Sequence, residues 1–172
     1  MKQKAISSAL IAAGLLFGGI SPSYADFKTY AASECVRWNE SADPDSYLNF
    51  SRRYNPSTDK RLFLDCPAVH DRYANVAASW IRVIDRNPTD RICAQLVAFW
   101  HIGGVPGFKA TPWQCTTNAW NSPNSVQLNT GGLTGVPSDA HYYFSVQAVP
   151  RRYQGNDSGV VTYFVNEVNG LD

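Results

Sequence analysis

Three groups of side chains in this sequence have the chemistry for a functional site. The first is the doublet His70-Asp71, just after Cys66-Pro67. A carboxylate can orient an imidazole as a general base. Neighbouring residues on an extended chain point apart, however, so the doublet needs a nucleophile or second carboxylate from elsewhere. The other histidines, His101 and His141, have no such neighbour. No GxSxG elbow, HExxH helix or glycine-rich phosphate loop occurs. Asp43 and Asp45 form a carboxylate pair, but glycoside hydrolysis needs two carboxylates facing each other across a cleft. Polar turns and surface histidines account for these residues more simply.

The second group pairs aromatic rings with amides. Trp113 and Trp120 lie in turn-rich sequence, with Gln114, Asn118 and Asn121 beside them. Sugars stack their apolar C–H faces on exposed rings, while amides bind the hydroxyls. The competing demand on these rings is the core, which takes most large aromatics. Trp100 is assigned to the core. The third group is oxygen ligands: Glu40, Asp43 and Asp45 crowd one loop, and Asn156-Asp157 sits in another. Such oxygens suit Ca²⁺, but EF-hand spacing is absent and a solvated acidic turn explains them. No metal or cofactor is expected.

The elements that must position these groups read as strands. Arg61–Pro67 alternates, with Leu62, Leu64 and Cys66 on one face and Arg61, Phe63 and Asp65 on the other. Tyr47–Tyr54 reads as a strand with Leu48 and Phe50 inward, joined to it as a hairpin through the turn at 55–58. Trp80–Asp85 sets Ile81 and Val83 against Trp80, Arg82 and Ile84. Arg91–Ile102 sets Ile92, Ala94, Leu96, Ala98 and Trp100 against Cys93, Gln95, Val97, Phe99 and His101. Phe108–Thr117 runs back beside it. Further strands are read at Glu34–Trp38, Ser125–Asn129, His141–Val149 and Gly159–Glu167. In the last two, Tyr142, Phe144, Val146 and Ala148, then Val161, Tyr163 and Val165, point inward. Asp26–Ser33 reads as a loose end and Val69–Ser79 as a loop. About eight or nine short strands separated by Pro, Gly and Asn turns predict an all-β, single-domain antiparallel β-sandwich, jelly-roll-like in type.

Residues 1–25 read as a cleaved signal peptide: Lys2 and Lys4, then apolar Ala9–Ile20, then Ser23-Tyr24-Ala25 before a cut at Asp26. The apolar stretch is shorter than the ~20 residues of a membrane span. Residues 26–172 form the single domain, secreted or periplasmic, with no membrane span. With 15 basic and 14 acidic residues the chain has no nucleic-acid footprint. The paired arginines Arg52-Arg53 and Arg151-Arg152 read as solvated turns or strand ends. An even set of cysteines in an exported chain, Cys35, Cys66, Cys93 and Cys115, reads as two disulfides. Three pairings are possible. The sequential one, Cys35–Cys66 with Cys93–Cys115, is favoured because a hairpin return brings Cys115 to Cys93. Each bridge would close a loop of about 20–30 residues and stabilise by ~3–4 kcal/mol. If Val36 and Trp38 point inward, Cys35 points outward, and its bridge to inward Cys66 needs a bulge or twist.

Several phrases together carry a resemblance: Tyr54-Asn55-Pro56-Ser57, Cys66-Pro67, residues 80–87, His141-Tyr142-Tyr143-Phe144, Val149-Pro150 and residues 158–163. The chain resembles a set of small exported bacterial β-sandwich proteins of unknown function, over nearly all of its mature length. The resemblance implies the fold and export and adds no chemistry. It also implies a cysteine near position 147 as partner of the one near Cys93; here the residue is Gln147, which leaves Cys115 as the replacement. The expected role is a non-catalytic binding module, with glycan as the first ligand. The alternatives are a small secreted hydrolase using His70, or a structural, envelope or inhibitor protein.

Overall fold

The computed structural model describes residues 25–38, 46–69, 74–117 and 124–169. In chain order the strands are β1 (Ala25–Ala31), β2 (Val36–Arg37), β3 (Tyr47–Asn49), β4 (Arg52–Asn55), β5 (Leu62–Ala68) and β6 (Ala74–Ile84). They continue as β7 (Cys93–Ile102), β8 (Val105–Ala110), β9 (Gln114–Cys115), β10 (Val126–Asn129), β11 (His141–Val149) and β12 (Ser158–Asn169). One 3-10 turn, Ala32–Glu34, separates β1 from β2.

The strands form two antiparallel sheets packed face to face. The first sheet has the order β10-β6-β12-β4-β3, with β1 also on β12. The second has the order β2-β5-β11-β7-β8, with β9 also on β7. The core lies between them and follows the alternation. Leu62, Leu64 and Cys66 of β5, Ala94, Leu96 and Ala98 of β7 and Phe144 and Val146 of β11 line it from the second sheet, and Ile81, Val83, Tyr163 and Val165 line it from the first. Each fully buried Leu, Ile or Phe here stabilises by ~1.5–3 kcal/mol relative to exposure.

Both disulfides take the sequential pairing, Cys35–Cys66 and Cys93–Cys115. Cys93 and Cys115 are direct cross-strand partners, 4.0 Å apart at Cα. Gln147 sits opposite Cys93 on the other flank of β7. The tension at Cys35 disappears because the expected orientation of its neighbours is reversed. The 3-10 turn delivers Cys35 into the core, and Val36 and Trp38 point out, with Trp38 against Phe63 on the outer surface.

Other expectations are corrected too. Among the described residues there are twelve strands rather than eight or nine. Residues 47–54 are two strands, because Phe50 and Ser51 turn the chain at φ +49° and +63°. Leu48 and Phe50 are therefore exposed, Phe50 at 92%. This hairpin does not pair with β5, which lies in the other sheet. Buried Asn55 crosses the corner instead, its Nδ2 donating to the carbonyls of Lys60, Val149 and Pro150. The loose end at 26–33 is mostly β1, paired along its length with β12. The supposed loop at 69–79 holds the start of β6, whose pairing to β12 overrides its weak local preference. Register shifts in β11 and β12 move the inward positions from Ala148 to Val149 and from Val161 to Val160.

Two outcomes follow from this packing. Cys35 and Cys66 are fully buried, whereas Cys93 and Cys115 are partly accessible. Limited reduction followed by alkylation and peptide mapping should label Cys93 and Cys115 first; earlier labelling of Cys35 would contradict the packing. At β8, Trp100 lies over Gly107, where an added Cβ would collide with the indole. Gly107→Ala should therefore lower unfolding stability by ~1–3 kcal/mol in urea titration, through overpacking.

Candidate functional site

The outer face of the first sheet collects aromatic rings that the core does not use. Trp80 on β6 and Phe164 on β12 are direct cross-strand partners. Both alternate with core residues, Trp80 with Ile81 and Phe164 with Tyr163 and Val165, so the pleat turns them outward. Their rings stack at 5.0 Å between centroids and 9° between planes. On β1, Phe27 extends the row, 5.9 Å from Phe164, and is 64% exposed. A second stack stands further along the same face: Tyr47 and Tyr54 meet at 5.3 Å. Tyr54 lies over Gly159, whose missing Cβ leaves room for the ring; a Cβ there would be 2.8 Å from Tyr54 Cδ1.

Polar groups border the row. The Arg82 guanidinium carbon is 5.5 Å from the Trp80 ring centroid, a cation–π contact. Arg82 also donates to Gln127 Oε1 at 3.5 Å. Gln127 stands opposite Arg82, and Asn129 opposite Trp80, on β10. Gln127 Nε2 donates to Asn129 Oδ1 at 2.7 Å, so the three polar residues form one chain. On β12, Asn166 stands opposite Phe27, and its Oδ1 is shielded and without a hydrogen-bond partner. None of the described side chains turned outward from β1, β6, β10 and β12 is a carboxylate.

At the Tyr47 end, Asp157 accepts the Tyr47 hydroxyl at 2.7 Å and stands 3.2 Å from Arg152 Nε. Its carboxylate is thus engaged within the protein. That hydrogen bond, with burial and the carboxylate charge behind it, pushes the Tyr47 phenol up to about 12. Arg52 Nη1 reaches the Tyr54 hydroxyl at 3.5 Å.

The residues singled out from sequence fare unevenly. Trp113 is on the surface, 38% exposed, and Gln114 beside it is exposed. They lead into β9, at the edge where β9 of one sheet approaches β10 of the other. Trp120, Asn118 and Asn121 lie outside the described residues, as do His70, Asp71, Glu40, Asp43 and Asp45. The outer aromatic row was not singled out. Its signal was present in the outward set Trp80, Arg82 and Ile84, but the partner Phe164 is far away in sequence.

Away from this face, a concavity of about 460 Å³ opens where β5 ends, lined by Pro67, Val69, Ser138, Asp139, His141 and Tyr142 among others. Among these described lining residues, Ser138, Asp139 and His141 make no hydrogen bond to one another. Behind it, buried Glu167 pairs with Lys28 at 2.9 Å. Burial, then the Glu167 charge, pushes the Tyr142 phenol up to about 12. Among the described residues no group of three His, Cys, Asp or Glu side chains is placed to hold a metal ion. No helix among them is long and apolar enough to cross a membrane.

The Tyr47–Asp157 bond has a titration signature. A folded-state pKa above the ordinary value near 10 means that the bond's stabilisation is intact below pH ~10 and is lost as pH rises through about 12. Spectrophotometric titration should show late-ionising phenols, and Tyr47→Phe should remove one of them; an unchanged late set would mean the bond is absent. A scan against protein-family models finds no match to this sequence, and a search of curated proteins finds none either.

Proposed function

We propose that this protein is an exported, non-catalytic binding module that takes a glycan on the outer face of its first sheet. The observation that carries this reading is the row Phe27–Phe164–Trp80, flanked by the Arg82–Gln127–Asn129 chain. Phe27 is exposed and Trp80 and Phe164 are half-buried; the outward part of these rings matches the C–H faces of pyranose rings, and fixed amide and guanidinium donors match their hydroxyls. Interior burial would satisfy these rings at least as well, so their retention on a solvated face favours a ligand. The two-disulfide framework supports export, because such bridges persist in oxidising compartments. Trp113 with Gln114 forms a second ring–amide element at the sandwich edge, which a longer glycan would reach.

The test is binding to a panel of neutral and acidic polysaccharides by affinity electrophoresis, with Trp80→Ala and Phe27→Ala beside the parent protein. The parent should be retarded by at least one polysaccharide. Trp80→Ala should lose about tenfold or more in affinity, the ~1–3 kcal/mol scale of a ring stacking contact. A blank panel, or retardation that ignores Trp80→Ala, sinks the reading.

A further inference from the structure

The charge of the face narrows the ligand class, and this inference rests on the glycan reading above. Arg82 is the cation nearest the rings. Trp80 supports its guanidinium from one side and Gln127 Oε1 holds one of its donors at 3.5 Å. Five N–H donors on a planar fork leave most of them available for an incoming group. No described carboxylate turned outward from β1, β6, β10 or β12 competes for them. Across β12, on β4, Arg52 stands on the same face beside the Tyr54 hydroxyl. β4 and β6 flank β12, so the two cations rise from strands about two spacings, roughly 10 Å, apart. Nearby acids are already taken: Asp157 by Tyr47 and Arg152, Glu167 by Lys28 on the inner side.

We propose that the ligand is a carboxylated glycan, a uronic-acid polymer in class, with the sugar ring on Trp80–Phe164 and its carboxylate on Arg82. A planar guanidinium binds a carboxylate through two parallel hydrogen bonds, which a neutral hydroxymethyl or ester group does not reproduce. The polymer's repeated charge would bring a second carboxylate toward Arg52.

Oligogalacturonate and its fully methyl-esterified form differ at the carboxylate alone, so calorimetric titration with both is the decisive experiment. The parent should bind the acid at least tenfold more tightly than the ester. Arg82→Gln should lose that tenfold preference, weakening the acid at least tenfold more than the ester, and Arg82→Lys should recover only part of it. Trp80→Ala should weaken both ligands. Equal binding of acid and ester, or an acid preference that survives Arg82→Gln, overturns the carboxylate assignment and leaves the aromatic platform standing. No binding of either oligomer overturns the carboxylate assignment, and binding unaffected by Trp80→Ala overturns the platform and the assignment together. Unchanged urea midpoints for the Arg82 variants establish that lost affinity is not lost fold.

Discussion

Everything in the first sheet hangs on the pairing of β12 with β6. These two strands pair from Gly159 with Ile84 to Asn169 with Ala74, while β4 and then β1 share the opposite edge of β12. The contact is non-local, so chain entropy opposes it until the buried face offsets the cost. Tyr163 shows how that offset is concentrated. Its ring stacks on Tyr30 at 5.0 Å and tilts against Phe144 of the second sheet at 5.3 Å. Its hydroxyl donates to the Pro67 carbonyl at 2.7 Å. One side chain thus ties β1, β12, β11 and β5 together, and burial raises its phenol pKa well above the ordinary value.

The same pairing manufactures the outer face. Side chains on a strand alternate, so every residue committed inward on β12 commits its neighbours outward. Tyr163 and Val165 inside place Phe164 outside, and Ile81 inside places Trp80 outside, directly opposite it. The register shift at Val160/Thr162 sets the phase. A slip by one residue would bury Phe164 and expose Tyr163, losing both the core tie and the aromatic row. Among the described residues the interior also accepts two carboxylates, Asp85 and Glu167, the latter beside Lys28. Removing Lys28 would take one cation away from this buried charge, and such pairs are costly to break even where they add little when intact.

Much of the core was legible from alternation, and the errors have a common cause. The inner faces of residues 62–66, 92–98 and 142–146 came directly from the period of two, because those strands run without interruption. Alternation failed where the period is interrupted locally. Ala148, at φ +57°, and the shift beside Val161 each displace the pattern by one residue, and no composition marks either. The turn at Phe50-Ser51 was hidden because it has neither Gly nor Asn, the usual residues for left-handed backbone, and each costs ~1–2 kcal/mol there. At Cys35 alternation alone leaves the face open, and the apolar Val36 and Trp38 are the exposed side while Cys35 is buried.

By itself the sequence determined the class, two layers of antiparallel strands, and the number of disulfides, with the sequential pairing favoured among three. The class depends on short-range features, namely period and turn residues, and the number of bridges on the even cysteine count, whereas Cys35 and Cys66 are 31 residues apart with two strands of the other sheet between them. Only the tertiary structure decided which aromatic rings share a surface. Trp80, Phe164 and Phe27 come from three strands distant in sequence. Nothing local to any of them names the others, because strand partners are selected by the burial of their opposite faces. The candidate site is therefore a by-product of core packing on the other side of the same strands.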